Sequence, residues 1–134
     1  MEIRNMTIND YDEVYNLWIN TPGMGLNNID DSRDGIERYL KRNPETCLLS
    51  GHDGRRGYIH HTAVAVTERR QGIGKALLNR VLNALEKEGI NKVALVAFSK
   101  NEIGNRFWEK NGFIVRDDLV YRNKEIKEMV RIDT

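Results

Sequence analysis

Arg69, Arg70 and Lys75 flank Gly72 and Gly74 in the run Thr67-Glu68-Arg69-Arg70-Gln71-Gly72-Ile73-Gly74-Lys75. Basic side chains pair with phosphate oxygens. Glycines have no Cβ, so a ligand can approach the backbone closely. The run lies between a β-rich segment, residues 58–66, and an amphipathic segment, residues 76–88. A strand, a basic glycine-rich turn and a helix start together make a phosphate site, because the helix start offers unpaired N–H groups and a positive dipole end. The other residues with chemical potential are His52, His60, His61 and Cys47. His52, His61 and Asp53 set no metal-ligand spacing, so no metal is expected. Cys47, among Thr46, Leu48 and Leu49, reads as a buried strand thiol. As the single cysteine it excludes a disulfide within the chain and a cysteine-based zinc site.

The elements that must position these residues follow from periodicity and stop signals. Residues 3–6 read as a short strand, and Asn9 or Asp10 as the cap of a helix that buries Tyr11, Val14, Leu17 and Trp18. Thr21-Pro22-Gly23 stops that helix. Residues 23–30 have no clear period and read as a loop, a candidate acceptor-binding element or a solvated connector. Asp31 or Ser32 caps a second helix that buries Ile36, Tyr39 and Leu40 and ends at Asn43-Pro44. A strand over 46–49, a turn-rich loop over 51–57 and a long covered strand over 58–66 follow. Ile73, Leu77, Val81, Ala84 and Leu85 form a helical stripe, widened by Leu78 and Leu82 and closed by Gly89. Residues 91–98 read as a second buried strand, parallel to the first through a right-handed crossover. The turn then sits at the carboxyl end of a strand, where α/β sheets place ligands. Asn101 caps a helix over 102–110 that Asn111-Gly112 ends. Strands are expected over 113–115 and 119–124, and residues 125–134 fit either a strand or a helical turn. The fold class is α/β, a mixed α+β sheet in one domain over residues 1–134.

Which phosphate turn this is depends on specific residues. A P-loop needs Gly-Lys-Ser/Thr, but Ala76 follows Gly74-Lys75. A dinucleotide fingerprint needs a third glycine where Leu77 stands. Arg69-Arg70-Gln71-Gly72-Ile73-Gly74 instead fits Arg/Gln-x-x-Gly-x-Gly/Ala. Asn101, Gly104, Phe107 and Trp108, followed by Glu109-Lys110-Asn111-Gly112-Phe113, fit a second motif at the right separation. With both motifs in order, the chain resembles the GNAT superfamily of N-acetyltransferases. The resemblance is weakest before Leu49, and residues 51–66 look like bacterial members related to ribosomal-protein alanine acetyltransferases.

The resemblance implies a GNAT-like acyl-CoA N-acyltransferase fold and acetyl-CoA as cosubstrate. It assigns pyrophosphate contacts to Arg69, Arg70, Gln71, Gly72, Ile73, Gly74 and Lys75. Backbone contacts to the pantetheine arm fall on Val64 and Val66, in a gap where this strand splays from the next. Asn101 would hydrogen-bond the arm, Phe107 and Trp108 would line the thiol end, and Lys110 could reach the adenosine phosphates. The implied reaction is direct attack of a primary amine, of a small molecule or a protein, on the thioester. Strand alternation puts Tyr58, His60 and Thr62 on one face and His61 on the other. The family's base position matches the face of Tyr58 and His60, and histidine titrates near neutrality, so His60 is the candidate base. The Thr62 N–H matches the donor that polarises the acetyl carbonyl.

Two departures stand out. Trp108 occupies the place where the family often has a tyrosine acid, and an indole N–H only donates hydrogen bonds. Tyr121 is a candidate replacement, and a thiol pKa near 8.5 also lets the thiolate leave unaided. Only residues 46–57 stand where the family usually has a hairpin's worth of chain, so the N-terminal antiparallel half reads as shortened. An open sheet edge would follow, and pairing in a homodimer would cover it. An acyl-CoA-binding regulatory module without efficient turnover is the alternative function.

Composition excludes little else. With 134 residues and net charge +1, bulk electrostatics give no reason to expect nucleic acid or an anionic membrane as partner. No apolar run approaches spanning length and the N-terminus does not read as a signal peptide, so a cytoplasmic location is expected.

Overall fold

The computed structural model describes residues 3–43, 49–64 and 69–134. The expected strand residues 46–48, Cys47 and Val66 lie outside the described residues. Helix α1 spans Tyr11–Ile19 after a short 3-10 turn, Ile8–Asp10. The Asp10 carboxylate takes the Thr7 N–H at 2.9 Å and the Arg4 guanidinium at 2.7 and 2.8 Å. Arg4 holds its pKa down at about 2. Residues 3–6 form no strand. Strand β1, Gly25–Asn27, lies within the stretch expected to be a loop.

Helix α2, Arg33–Arg42, starts at Ser32, whose hydroxyl accepts the Gly35 N–H at 3.1 Å. Strands β2, Leu49–His52, and β3, Gly57–His60, form an antiparallel hairpin. The turn between them is narrower than expected, because Asp53 accepts the backbone N–H groups of Arg55 and Arg56 and closes it locally. Helix α3, Ile73–Lys87, buries Leu78, Val81 and Leu85. Its C-terminal turn folds back through Gly89, at φ +80°, with Gly89 N–H on Glu86 O and Ile90 N–H on Leu85 O. Strand β4, Val93–Ala94, pairs parallel to β3, as the crossover requires. Helix α4, Glu102–Lys110, is capped by Asn101 and closed through Gly112 at φ +89°. Strand β5, Arg131–Asp133, pairs antiparallel with β1.

The result is a mixed three-stranded sheet, ordered β2-β3-β4, and a separate two-stranded sheet of β1 and β5. Four further expected strands differ. The 58–66 strand stops at His60, because His61 takes a left-handed φ of +40° and leaves the ladder. The 91–98 strand pairs only at Val93 and Ala94, and Val96 is left 57% exposed. Residues 113–115 and 119–124 form no strands. Ile114, Val115, Leu119 and Val120 are exposed, and Arg116 chelates Asp118 at the bend between them. β-branched side chains favour strands only where a neighbouring surface half-buries them.

The interior divides into two clusters. Ile59, Leu78, Val81, Leu85 and Ile90 form one, packed by Phe107, Trp108 and Phe113. Trp18, Met24, Leu26 and Ile36 form the other, joined by Tyr39, Ala63 and Ile132. Residues 59–63 cross from one cluster to the other, and His61 lies at the crossing.

Candidate functional site

Beyond the β3–β4 pairs Gly57–Val93 and Tyr58–Ala94, the two chains stop bonding. A cleft of about 310 Å³ opens there. Residues 58–62 line one side and residues 95–98 the other, joined by Asn101, Trp108 and Tyr121. Gly23, Met24 and Gly25 also line it. A Cβ on Gly25 would stand 3.0 Å from the Phe98 ring, and one on Gly23 would stand 2.8 Å from Asn101 Nδ2. Glycine is therefore what lets this loop close against the far side. The chain end supports it from behind, since Thr134 N–H donates to Met24 O at 2.9 Å and Met24 N–H donates to Thr134 Oγ1 at 2.9 Å. The stretch singled out as a candidate acceptor element thus borders the cleft through Gly23–Gly25.

His60 is packed among rings. Tyr58 lies 4.4 Å from it, Tyr39 5.4 Å and His61 6.0 Å, centroid to centroid. Burial, seconded by His61, pushes its pKa down to about 4. The expectation that His60 titrates near neutrality does not hold, because the site desolvates the imidazolium. Burial also raises Tyr58, and Tyr121 adds to this. The Thr62 hydroxyl is buried and has no hydrogen-bond partner among the described residues.

His61 departs from simple alternation. Its left-handed backbone breaks the strand, so both histidines line the cleft instead of pointing to opposite faces. Its Nε2 lies 2.6 Å from Asp31 Oδ1, and its ring meets Trp18 edge-on at 4.9 Å. Asp31 is buried, and its second oxygen accepts the Asn27 N–H at 2.8 Å. Sequence reasoning offered Asp31 or Ser32 as the helix cap; Ser32 takes that role, and Asp31 reaches His61 instead. Nothing local signals this pair, which spans thirty positions.

The basic turn precedes α3. Arg70 and Gly72 are both left-handed, at φ +65° and +76°. Gly72 is the N-cap, with no side-chain cap and no acidic residue in the first turn. A Cβ there would meet nothing within 4 Å among the described residues. Gly74 differs: its missing Cβ faces the Phe107 ring at 3.4 Å, so this glycine serves the contact between α3 and α4. Arg69 Nε donates to Val64 O at 3.3 Å, and Lys75 Nζ donates to Asn111 Oδ1 at 2.7 Å.

On α4, Asn101 Oδ1 accepts the Gly104 N–H at 3.0 Å. A Cβ on Gly104 would come within 2.6 Å of Asn101 Nδ2, which accounts for glycine at this motif position. Trp108 borders the cleft, stacked edge-on with Phe107 and Phe113 at 5.0 and 5.2 Å. Phe107 does not border it and packs between α3 and α4. Lys110 is exposed at the end of α4. The structure thus gathers Tyr58, His60, Thr62, Asn101, Trp108 and Tyr121 around one cleft. It keeps residues 69–75 together at the start of α3 and leaves Val64, Phe107 and Lys110 outside the cleft lining.

Among the described residues no three His, Cys, Asp or Glu side chains converge on a metal-sized site. His52 stands apart, with Nε2 3.7 Å from Glu88. No helix among the described residues is long and apolar enough to cross a membrane. Residues 25–113 match the model of the acetyltransferase (GNAT) family, a span of about two thirds of the chain that holds the basic turn, α4 and the cleft lining except Gly23, Met24 and Tyr121. The chain belongs to the GNAT acetyltransferase family, with the acetyltransferase-type activity and acetyl-CoA cosubstrate this implies.

Proposed function

We propose that this protein is an N-acetyltransferase that moves an acetyl group from acetyl-CoA to a primary amine of a small molecule or a protein. The single observation that carries the reading is the parting of β3 from β4 into a cleft at the carboxyl end of β3. The residues fit the cosubstrate. The first turn of α3 has no side-chain cap and no acidic residue, and it lies beside Arg69, Arg70 and Lys75. Gly72 leaves the approach clear. Thr62 borders the cleft, and its buried hydroxyl has no hydrogen-bond partner among the described residues.

In this reading residues 69–75 hold the pyrophosphate, Val64 and Asn101 hold the arm, and Trp108 shields the thiol end. When bound, acetyl-CoA supplies the acyl group as an activated thioester. The chain's own part is to orient the amine, exclude water and take up a proton. Trp108 has no proton to give a leaving thiolate. Tyr121, 66% exposed at the cleft, or water fills that role.

Thermal unfolding with added ligands tests the reading. Acetyl-CoA should stabilise the fold and ATP with magnesium should not. Thiol release in the presence of an amine library should then depend on the amine. Stabilisation without amine-dependent release would identify an acyl-CoA-binding module instead. Stabilisation by ATP with magnesium alone would overturn the assignment.

A further inference from the structure

We propose that His61 and Asp31 form the proton-accepting pair on the acceptor side of the cleft, with Nδ1 of His61 receiving a proton from the incoming ammonium. The inference rests on the functional reading above and deepens it. Three observations carry it. First, both Asp31 oxygens act as acceptors: Oδ2 takes the Asn27 N–H at 2.8 Å, and Oδ1 stands 2.6 Å from His61 Nε2. A carboxylate cannot donate, so Nε2 carries the proton and Nδ1 of the neutral ring is the lone-pair nitrogen. Among the described residues Nδ1 has no hydrogen-bond partner, and His61 borders the cleft.

Second, the pair is sequestered. The Asp31 side chain is 6% exposed and the His61 side chain 17%. Trp18 fixes the ring from the other side. A buried carboxylate persists where a partner compensates its desolvation. Here the partner is a ring that becomes cationic on taking a proton, directly against that carboxylate.

Third, His61 has a left-handed backbone, at φ +40°. That conformation is unfavourable for a residue with a Cβ. Such outliers concentrate at functional sites. The distortion brings a residue that alternation would turn away into the same cleft as His60. His60 itself is neutral and hard to protonate, being enclosed by Tyr58, Tyr39 and His61.

The step is a proton transfer. A primary amine arrives mostly as the ammonium at neutral pH, since lysine-like amines have a pKa of about 10.4. One N–H bond of the ammonium breaks and one Nδ1–H bond forms. The products are a neutral amine with a free lone pair and an imidazolium. Asp31 stabilises the imidazolium, and water removes the proton to reset the pair. Asp31 is a positioning residue; His61 touches the acceptor.

Nitrogen-15 imidazole spectra of the full chain, recorded without acetyl-CoA, should show the His61 proton on Nε2. Asp31→Asn should weaken that tautomer preference. His61→Gln and Asp31→Asn should each lower amine-dependent kcat by about 100-fold or more. Acetyl-CoA-induced stabilisation should persist in both. His60→Gln should cost less than about 10-fold. A proton on Nδ1, or near-normal turnover in His61→Gln, would overturn the proposal. Loss of acetyl-CoA stabilisation in His61→Gln to the same extent as turnover would also overturn it, making the ring structural. A wild-type chain that acetyl-CoA does not stabilise would instead overturn the functional reading and the catalytic role with it, even with the proton on Nε2.

Discussion

The turn ahead of α3 and the histidine pair after β3 handle polar groups in opposite ways. At the turn the backbone is left open: among the described residues nothing lies against Gly72, the first turn of α3 has no side-chain cap, and Arg70 is exposed, although Arg69 and Lys75 are bonded to Val64 and Asn111. At the histidine pair they are enclosed and matched, with Asp31 satisfied on both oxygens and His61 locked between it and Trp18. An open cradle suits a large anionic ligand that brings its own charge. An enclosed pair suits a small proton movement that must be directed, since electrostatic interactions strengthen as water is excluded. The contrast repeats within each region. Gly72 is open while Gly74 is packed on Phe107, and His61 is hydrogen-bonded to Asp31 while His60 is enclosed by rings.

Four perturbations probe the contrast, from the largest expected effect on acetyl-CoA binding to the smallest. Gly72→Glu should weaken acetyl-CoA binding by at least about 100-fold, roughly 2.7 kcal/mol, because a like charge would fill the open space. The fold should lose only about 1 kcal/mol, the cost of a left-handed residue with a Cβ. Calorimetric titration beside chemical denaturation separates the two. An equal loss of fold stability would show that the turn is structural.

Trp18→Ala should destabilise the chain by about 3–5 kcal/mol. Trp18 is 2% exposed in the cluster of α1 and α2, and it backs the His61 ring. In the fraction that folds, amine turnover should fall further than acetyl-CoA affinity. Denaturant midpoints and ligand titration read this out, and a parallel loss of both would erase the distinction between the two regions.

His60 makes stability depend on pH. Its folded pKa is about 4 against an ordinary 6.5. Between those values the unfolded chain binds the proton and the folded chain does not, so stability falls as pH drops through this window. His60→Gln should flatten that slope. Melting temperatures from pH 7 to pH 4 test it, and an unchanged slope would show that the ring is more hydrated than its neighbours imply.

Gly74→Ala should be nearly neutral, within about 1 kcal/mol. Alanine gains about that much over glycine in a helix, and the Phe107 contact at 3.4 Å takes some of it back. Acetyl-CoA affinity should hold. A large affinity loss would mean that the ligand approaches Gly74 as closely as Gly72.

The local devices were legible before the structure. Ser32, Asn101, Gly89 and Gly112 cap or close their helices from positions that the sequence marks, because capping depends on residues within a few positions of one another. The amphipathic stripe of α3 and the parallel β3–β4 pairing were readable for the same reason. The strands were less so. Residues 113–124 have β-forming side chains, but a strand needs a partner, and that depends on distant chain. β1 went unseen because its partner, β5, lies more than a hundred residues away.

By itself the sequence determined the ligand side of this protein. Two glycines, their basic neighbours and the Asn101 to Phe113 motif are contiguous runs, and the chemistry they offer is set by backbone conformation within one turn. Only the tertiary structure decided how the two histidines are placed. Strand alternation assigned His60 to the cleft and turned His61 away, yet one left-handed residue at the crossing between two clusters brought His61 in as well. Packing then settled what each ring can do. Three neighbouring rings desolvate His60, and a carboxylate thirty positions earlier orders His61. Burial and ion pairing depend on which parts of the chain meet, and periodicity does not encode that.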